Sequence, residues 1–227
     1  MEFYVDITDL EQVKAVAAYY PIDGFTTNPA LLTKIGGPLG EWMRTARACV
    51  EQTGMRLFVQ VTSDRADEMV SQAERLKGWF GERLIVKIPV TKEGFRAMSL
   101  CREKDIPVTA TVVHSEMQAI VAAKAGAAYV APYVSHIDNI GADGIGCVLG
   151  MLEAFERFGY PTKVLAASFR TVDQIMRLAK IGCHAVTITP QMFDALIAHP
   201  STDVSVAGFA QTWADKYGPR AVADFLS

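Results

Sequence analysis

Long apolar segments are missing from this 227-residue chain, although half of its residues are hydrophobic. No window reaches the roughly 18 uncharged apolar residues that a membrane-spanning helix needs, so we expect no membrane partner. The opening residues MEFYVDITD carry charges at once and do not resemble a signal peptide. These absences favour a cytoplasmic protein.

Paired cysteines and excess basic charge are also missing. The four cysteines are scattered, with neither a CxxC pair nor a Cys/His spacing typical of zinc, so we expect a reduced protein without a metal site. The formal net charge of −3 gives no reason to expect nucleic acid as a partner. No Pro/Gly/Ser-rich linker interrupts the chain, and its length permits one domain or two.

Short apolar runs recur along the whole chain. Most are apolar almost throughout and rich in β-branched residues, which is typical of parallel strands that are buried on both faces. The eight runs are FYVDI (3–7), GFTTN (24–28), LFVQV (57–61), LIVKI (84–88), VTATVV (108–113), YVAPYV (129–134), KVLAASF (163–169) and AVTIT (185–189).

Amphipathic stretches between these runs predict helices. In 64–80 the apolar residues fall on one helical face, at Met69, Ala73, Leu76 and Phe80. Capping-box patterns mark two helix starts, at Ser115–Gln118 and Thr171–Gln174. About eight strand–helix units predict an α/β fold, a (β/α)8 TIM barrel over 1–227. An open doubly wound sheet is the alternative, but no glycine-rich dinucleotide fingerprint follows the first strand.

The chain continues beyond the eight units with an extra C-terminal helix, predicted over 201–218. Its segment VSVAGFAQTWADKYG (204–218) lines one face with Val206, Phe209, Trp213 and Tyr217. An apolar helix that follows a complete barrel has two uses: it packs on a neighbouring subunit, which we expect here, or it caps its own barrel.

Lys87 lies in the middle of LIVKIPV (84–90), an apolar run. Burying an ammonium ion is costly, so a lysine in such a strand is rarely structural. Burial lowers the pKa of a lysine, and the neutral amine then attacks a carbonyl carbon to give a Schiff base. The resulting iminium accepts electrons, so an adjacent carbon–carbon bond can break without a metal or other cofactor.

Other polar residues lie where the predicted strands end, which is where barrel enzymes carry their chemistry. Each also has an ordinary structural explanation, such as a helix cap, a turn, a strand residue or a core tyrosine. Thr187 and Thr189 on the eighth strand are weaker candidates. The candidates are Asp6, Thr26, Thr27, Asn28, Gln60, Thr109, Thr111, Tyr133, Ser168 and Arg170.

Several motifs together resemble the transaldolase-like family, and within it the fructose-6-phosphate aldolases. They are YVDITD, GFTTNPA, LFVQV, IVKIPVTKEG, AGAAYVAPYV and KVLAASFRT, and they cover essentially the whole chain. The resemblance implies a TIM barrel, a Schiff-base mechanism without cofactor, and a ring-shaped homo-oligomer, a pentamer or a decamer. It also implies a sugar or sugar phosphate as the small-molecule substrate.

The resemblance also implies roles for individual residues. Lys87 corresponds to the family's Schiff-base lysine, and a catalytic set of Lys87, Tyr133, Gln60, Asp6 and Thr111 follows. The implied substrate-binding set is Thr26, Asn28, Ala131, Ser168, Arg170 and His136. His136 departs from the family, which usually has an arginine there. Histidine is not always charged, and it cannot form the two parallel hydrogen bonds that arginine makes to phosphate. The stretch VVHSEMQ (112–118) departs as well.

Two residues favour an aldolase over a transaldolase. The resemblance implies that aldolases carry glutamine and tyrosine where transaldolases carry glutamate and phenylalanine, and this chain has Gln60 and Tyr133. We therefore expect a class I aldolase that cleaves or forms fructose 6-phosphate, or a related ketose, from dihydroxyacetone and an aldehyde such as glyceraldehyde 3-phosphate. The alternatives are a short transaldolase and a non-catalytic sugar-phosphate-binding barrel.

Overall fold

The computed structural model describes residues 1–226, which form two compact units. The first unit is Met1–Phe193 and the second begins at Asp194. The single domain predicted over 1–227 spans both units and stays a prediction. Within residues 1–226, no helix combines the length and apolar character needed to cross a membrane.

Eight parallel strands close into a barrel in the first unit, with each strand beside the next in the chain and β8 beside β1. Each of the eight apolar runs overlaps one strand, so the predicted (β/α)8 TIM barrel is confirmed. The strands are β1 (Glu2–Asp6), β2 (Gly24–Thr26), β3 (Arg56–Gln60), β4 (Leu84–Pro89), β5 (Val108–Val113), β6 (Tyr129–Pro132), β7 (Lys163–Ala166) and β8 (Ala185–Ile188).

Helices connect the strands. Two are short additions, α2 before α3 and α7 before α8, that the sequence patterns do not predict. The helices are α1 (Leu10–Tyr19), α2 (Pro29–Leu32), α3 (Leu39–Thr53), α4 (Ala66–Phe80), α5 (Lys92–Glu103), α6 (Glu116–Ala125), α7 (Val134–Asn139), α8 (Gly144–Phe158), α9 (Val172–Lys180), α10 (Pro190–Ile197) and α11 (Pro200–Tyr217).

Local sequence explains where these helices begin. Ser115 caps α6 by accepting a hydrogen bond from the Gln118 backbone. Thr171 and Gln174 form a reciprocal capping box at the start of α9. Both predicted helix starts are therefore confirmed, but the reciprocal capping box forms only at Thr171, because the Gln118 side chain accepts from the His114 backbone.

Aromatic and aliphatic side chains fill the middle of the barrel. They form a buried cluster whose rings meet edge to face, with centroids 4.9 Å apart for Tyr4 and Phe58 and 5.6 Å apart for Phe58 and Tyr129. Side chains alternate along a strand, so residues two positions further along from a cluster member also face inward. The cluster comprises Tyr4, Phe58, Ile85, Tyr129, Leu165 and Ala185.

Charged residues close the barrel where the strands begin. Glu2 accepts hydrogen bonds from Lys163 at 2.7 Å and from the hydroxyls of Tyr129 and Tyr4 at 2.8 and 2.9 Å. Arg56 donates to both tyrosines. Burial alone would raise the pKa of Glu2, but the bonds from Lys163, Tyr129 and Tyr4 outweigh it and lower that pKa to about 2. This end is therefore closed and internally paired.

The second unit contains the predicted C-terminal helix as α11, Pro200–Tyr217. Trp213 and Tyr217 lie with ring centroids 4.5 Å apart, and Trp213 Nε1 donates to the Arg220 carbonyl at 2.6 Å. Phe209 and Val206 remain 75% and 62% exposed. The predicted apolar face is therefore divided, because its C-terminal aromatic residues contact the segment that follows the helix.

Candidate active site

Lys87 lies on β4 and is only 6% exposed. Its Nζ donates a hydrogen bond of 2.8 Å to the Thr27 carbonyl. Burial lowers the pKa of Lys87, and the nearby negative charge of Asp6 partly opposes this shift. Lys87 therefore does not reach out to water, and its neutral form is favoured relative to an exposed lysine.

Gln60 lies directly beside Lys87. The two residues are partners in the parallel pairing of β3 with β4. Phe58 and Ile85, two positions earlier on these strands, belong to the interior cluster, so Gln60 and Lys87 also face inward. The structure thus brings together two residues predicted for the site.

Asp6 and Thr26 form a second group, at the ends of β1 and β2. The Thr26 hydroxyl donates to Asp6 Oδ1 at 2.7 Å and lies 2.6 Å from the hydroxyl of Thr187 on β8. Thr187, a weaker candidate in the sequence, is therefore part of this group. Its only signal was a polar residue inside the apolar run AVTIT.

Thr111 and Tyr133 meet on the opposite side of the barrel, with their hydroxyl oxygens 3.3 Å apart. Next to Thr111, Val112 has a φ of 63°, which is an uncommon conformation for a β-branched residue. The pairing of β5 with β6 shifts register between Ala110 and Val113. This bulge alters the strand immediately after Thr111, as bulges beside active sites often do.

Two histidines flank Tyr133. The ring centroids of His136 and His114 lie 5.3 and 5.6 Å from that of Tyr133, and the two imidazoles stack with centroids 5.8 Å apart. His136 is exposed on α7, whereas His114 is half-buried after β5. His114 was not among the predicted site residues; the departure at VVHSEMQ was the available signal.

Within residues 1–226, no hydrogen bond joins Lys87 to the remaining predicted residues. Asn28 Oδ1 caps α2 by accepting from the Leu31 backbone at 3.0 Å, so its structural explanation holds. Ala131 is buried on β6. Ser168 has a φ of 62°, and its carbonyl accepts from the Ser135 backbone, while Arg170 is exposed.

Metal-ligating residues do not gather in the part of the chain that the structure describes. Within residues 1–226, no three or more His, Cys, Asp or Glu side chains form a group that could hold a metal ion. The described site therefore consists of an amine, hydroxyls, a carboxylate, an amide and imidazoles.

Comparison with known proteins connects this arrangement to a family. A family model described as transaldolase/fructose-6-phosphate aldolase matches residues 3–221. A probable transaldolase of Maridesulfovibrio salexigens is 36% identical over 94% of this chain and 98% of that protein. Probable transaldolases of Hydrogenobaculum sp. and Symbiobacterium thermophilum are 34% and 33% identical over 94% of this chain, and over 96% and 97% of those proteins. The chain belongs to the transaldolase/fructose-6-phosphate aldolase family.

Proposed function

We propose that this protein is a Schiff-base enzyme that cleaves and forms a carbon–carbon bond next to a ketone, with Lys87 as the nucleophile. The main support for this proposal is the burial of Lys87, which lowers the pKa of its amine. The amine of Lys87 attacks the ketose carbonyl, and loss of water gives an iminium. The bond between C3 and C4 then breaks, its electrons enter the iminium to form an enamine, and the aldehyde leaves.

Asp6 is the proposed proton acceptor for the hydroxyl on C4. Its carboxylate accepts a hydrogen bond from Thr26 and lies close enough to Lys87 to affect the pKa of the lysine. Loss of the C4 hydroxyl proton allows that carbon to become the aldehyde of the leaving fragment. Thr26 orients the carboxylate for this step.

Gln60, Thr111 and Tyr133 are the proposed groups that complete the reaction. Gln60 lies beside Lys87, and Tyr133 and Thr111 present hydroxyls 3.3 Å apart. Hydroxyl and amide groups of this kind can hold the water that protonates the enamine and then hydrolyses the product from Lys87. The net reaction converts fructose 6-phosphate, or a related ketose, into dihydroxyacetone and an aldehyde such as glyceraldehyde 3-phosphate.

Transfer of the three-carbon unit to a second aldehyde is the second candidate function. The names of the three relatives compared above, each a probable transaldolase, favour this candidate over the aldolase. Gln60 and Tyr133 favour the aldolase, because a phenol can direct proton transfer to the enamine and a phenylalanine cannot. We propose release as the reaction of this chain on the strength of these two residues.

We propose that Ser168, Arg170 and His136 bind the phosphate end of the substrate. Arg170 supplies a permanent positive charge, while histidine is charged only when protonated. Thr26, Asn28 and Ala131 are the proposed contacts of the three-carbon unit. Asn28 uses its amide oxygen as a helix cap, so its N–H donors are the groups it offers to a substrate.

The decisive experiment is borohydride reduction in the presence of dihydroxyacetone, followed by peptide mass spectrometry. We expect one three-carbon adduct on the peptide containing Lys87. Lys87→Met should abolish the adduct, whereas Lys92→Met, which changes an exposed lysine just after β4, should retain it. Free dihydroxyacetone formed from fructose 6-phosphate without an acceptor supports release, whereas product formed only with an added aldehyde supports transfer. Absence of any adduct would favour a binding protein.

We also propose a ring-shaped homo-oligomer in which α11 contacts a neighbouring copy. Val206 and Phe209 on this helix are exposed, and covering them would remove apolar area from water. Phe209→Asp should therefore lower the molar mass, measured by light scattering, below that of a pentamer or decamer. Gln211→Asp, which places the same charge on an exposed polar residue of the helix, is the control. An unchanged assembly in the Phe209 variant would refute the proposed contact.

A further inference from the structure

Thr109 carries an unusual hydroxyl. Within residues 1–226, its Oγ1 is the one buried side-chain oxygen or nitrogen without a hydrogen-bonding partner. Other buried threonine hydroxyls are paired: Thr27 donates to the Phe58 carbonyl at 2.9 Å, and Thr162 donates to the Ala127 carbonyl at 2.7 Å. Buried polar groups in native proteins are nearly always hydrogen-bonded, so this exception calls for an explanation.

Strand register places Thr109 inside the barrel next to Lys87. Thr109 pairs with Lys87 on β4 and with Tyr129 on β6. Tyr129 belongs to the interior cluster, and laterally paired residues of a parallel sheet share a face, so Thr109 also faces inward. It is two residues before Thr111 on β5 and therefore lies one step deeper in the barrel.

A hydroxyl at this position costs free energy in the free protein. Valine has nearly the same shape as threonine, and replacing an unpaired buried hydroxyl with an apolar group of equal shape is neutral or stabilising. The packing of β5 alone thus gives no reason for threonine at residue 109. A partner that arrives during the reaction does give one.

We propose that Thr109 is a specificity-determining residue whose hydroxyl binds a hydroxyl of the three-carbon unit carried by Lys87. The inference rests on the proposed Schiff-base function. Thr109 is fully buried and Lys87 nearly so, so a group attached covalently to the neighbouring lysine can reach a hydroxyl that bulk solvent does not. The class of substrate selected is a ketone with a hydroxyl on a carbon next to the carbonyl.

The test compares two ketones, dihydroxyacetone and acetone, which lacks both hydroxyls. Borohydride trapping gives the concentration dependence of adduct formation at Lys87 for each ketone. In Thr109→Val, trapping of dihydroxyacetone should weaken about tenfold, as expected for one lost hydrogen bond, while trapping of acetone stays within about twofold. Thr109→Ser keeps a hydroxyl and should retain most of the preference for dihydroxyacetone.

Thermal unfolding separates this role from a structural one. Thr109→Val should leave the Tm unchanged or raise it, because it removes an unpaired group. The matched control is Thr162→Val, which removes a paired hydroxyl just before β7 and should lower the Tm without changing the ketone preference. A lower Tm for Thr109→Val with an unchanged ketone preference would mean that the hydroxyl serves the fold through a bound water, and would overturn the proposal.

The wild-type protein distinguishes failure of this inference from failure of the proposed function. If wild type forms no adduct with either ketone, the Schiff-base function itself is wrong. If wild type forms the adduct but Thr109→Val changes both ketones by the same factor, or neither, then the function stands and the role of Thr109 is refuted.

Discussion

At the end of the barrel where the strands begin, Glu2 accepts four hydrogen bonds and forms ion pairs with Arg56 and Lys163. At the opposite end, Lys87 donates to a single backbone carbonyl, and the hydroxyl of Thr109 has no partner within residues 1–226. Both ends are polar and lie on the same eight strands. The first end pairs its charges with one another, whereas the second, across the residues that the structure describes, keeps the Lys87 amine and the Thr109 hydroxyl without side-chain partners, as the proposed reaction requires.

Lys87→Met should produce the largest effect and should separate activity from stability. We expect kcat/KM to fall at least about 10³-fold, because the proposed nucleophile is lost. The lowered pKa of Lys87 means that the folded state binds its proton more weakly than the unfolded state, so this residue costs stability below the ordinary lysine pKa of 10.5. The free energy of unfolding, measured by urea denaturation at pH 7, should be unchanged or higher. A decrease in the free energy of unfolding of more than about 1 kcal/mol would contradict the contrast drawn between the two ends of the barrel.

Tyr133→Phe should have the next largest effect on activity. Removing the phenol should lower aldol cleavage by more than about tenfold, the range usual for a general acid or base. Gln60→Glu combined with Tyr133→Phe should raise the ratio of transfer to release, measured as product formed with an acceptor aldehyde against free dihydroxyacetone. Tyr160→Phe, at a half-buried tyrosine in the loop after α8, is the control. An unchanged ratio in the double variant would show that these two residues do not control the partitioning between transfer and release.

Glu2→Gln tests the opposite end and should have the opposite pattern. The pKa of Glu2 is about 2 in the folded protein, below its ordinary value of 4.5, so its stabilising contribution is fully present above pH 4.5 and is lost as pH falls through 2. With allowance for solvent screening, we expect the variant to lose about 1–2 kcal/mol at pH 7 with little change in kcat. Urea denaturation of both proteins at pH 7, 4 and 3 should show the difference shrinking at the lowest pH. A constant difference would contradict the assigned pKa.

His136→Arg should give the smallest effect. A permanent charge should favour phosphorylated over unphosphorylated aldehydes by about tenfold at pH 8, mainly through a lower KM, because this contact is remote from the reacting carbon. The measurement is kcat/KM for glyceraldehyde 3-phosphate against glyceraldehyde at pH 8, in wild type and variant. A strong phosphate preference already present in wild type would show that Arg170 and Ser168 suffice.

The sequence predicted the barrel well because a strand that is buried on both faces appears in the sequence as a continuous apolar run. Lys87 was recognisable for the same reason, since a charge inside such a run contrasts with its neighbours. Strand ends were less accurate: β2 ends at Thr26, before the predicted Asn28, because Asn28 caps the short helix α2.

Contacts between distant strands could not be predicted from local sequence. Thr187 joins the site through Thr26, which lies 161 residues earlier, and only closure of the barrel brings them together. His114 follows the register shift in β5 and meets Tyr133 and His136 only in the folded chain. The partner of Lys87 is a backbone carbonyl that any residue at position 27 would provide. The lone hydroxyl of Thr109 likewise becomes visible only when all its neighbours are known.

Closure of the barrel by β8 has a consequence for protein synthesis. A growing chain contains Lys87 and Asp6 long before Ala185–Ile188 emerges from the ribosome to pair with β1. Until then the interior stays open to water, and the lysine remains an ordinary ammonium ion with little nucleophilic character. With Lys87 as the proposed nucleophile, the nascent chain would be protected from forming adducts with metabolic carbonyl compounds, and reactivity would begin only when translation has delivered the last strand.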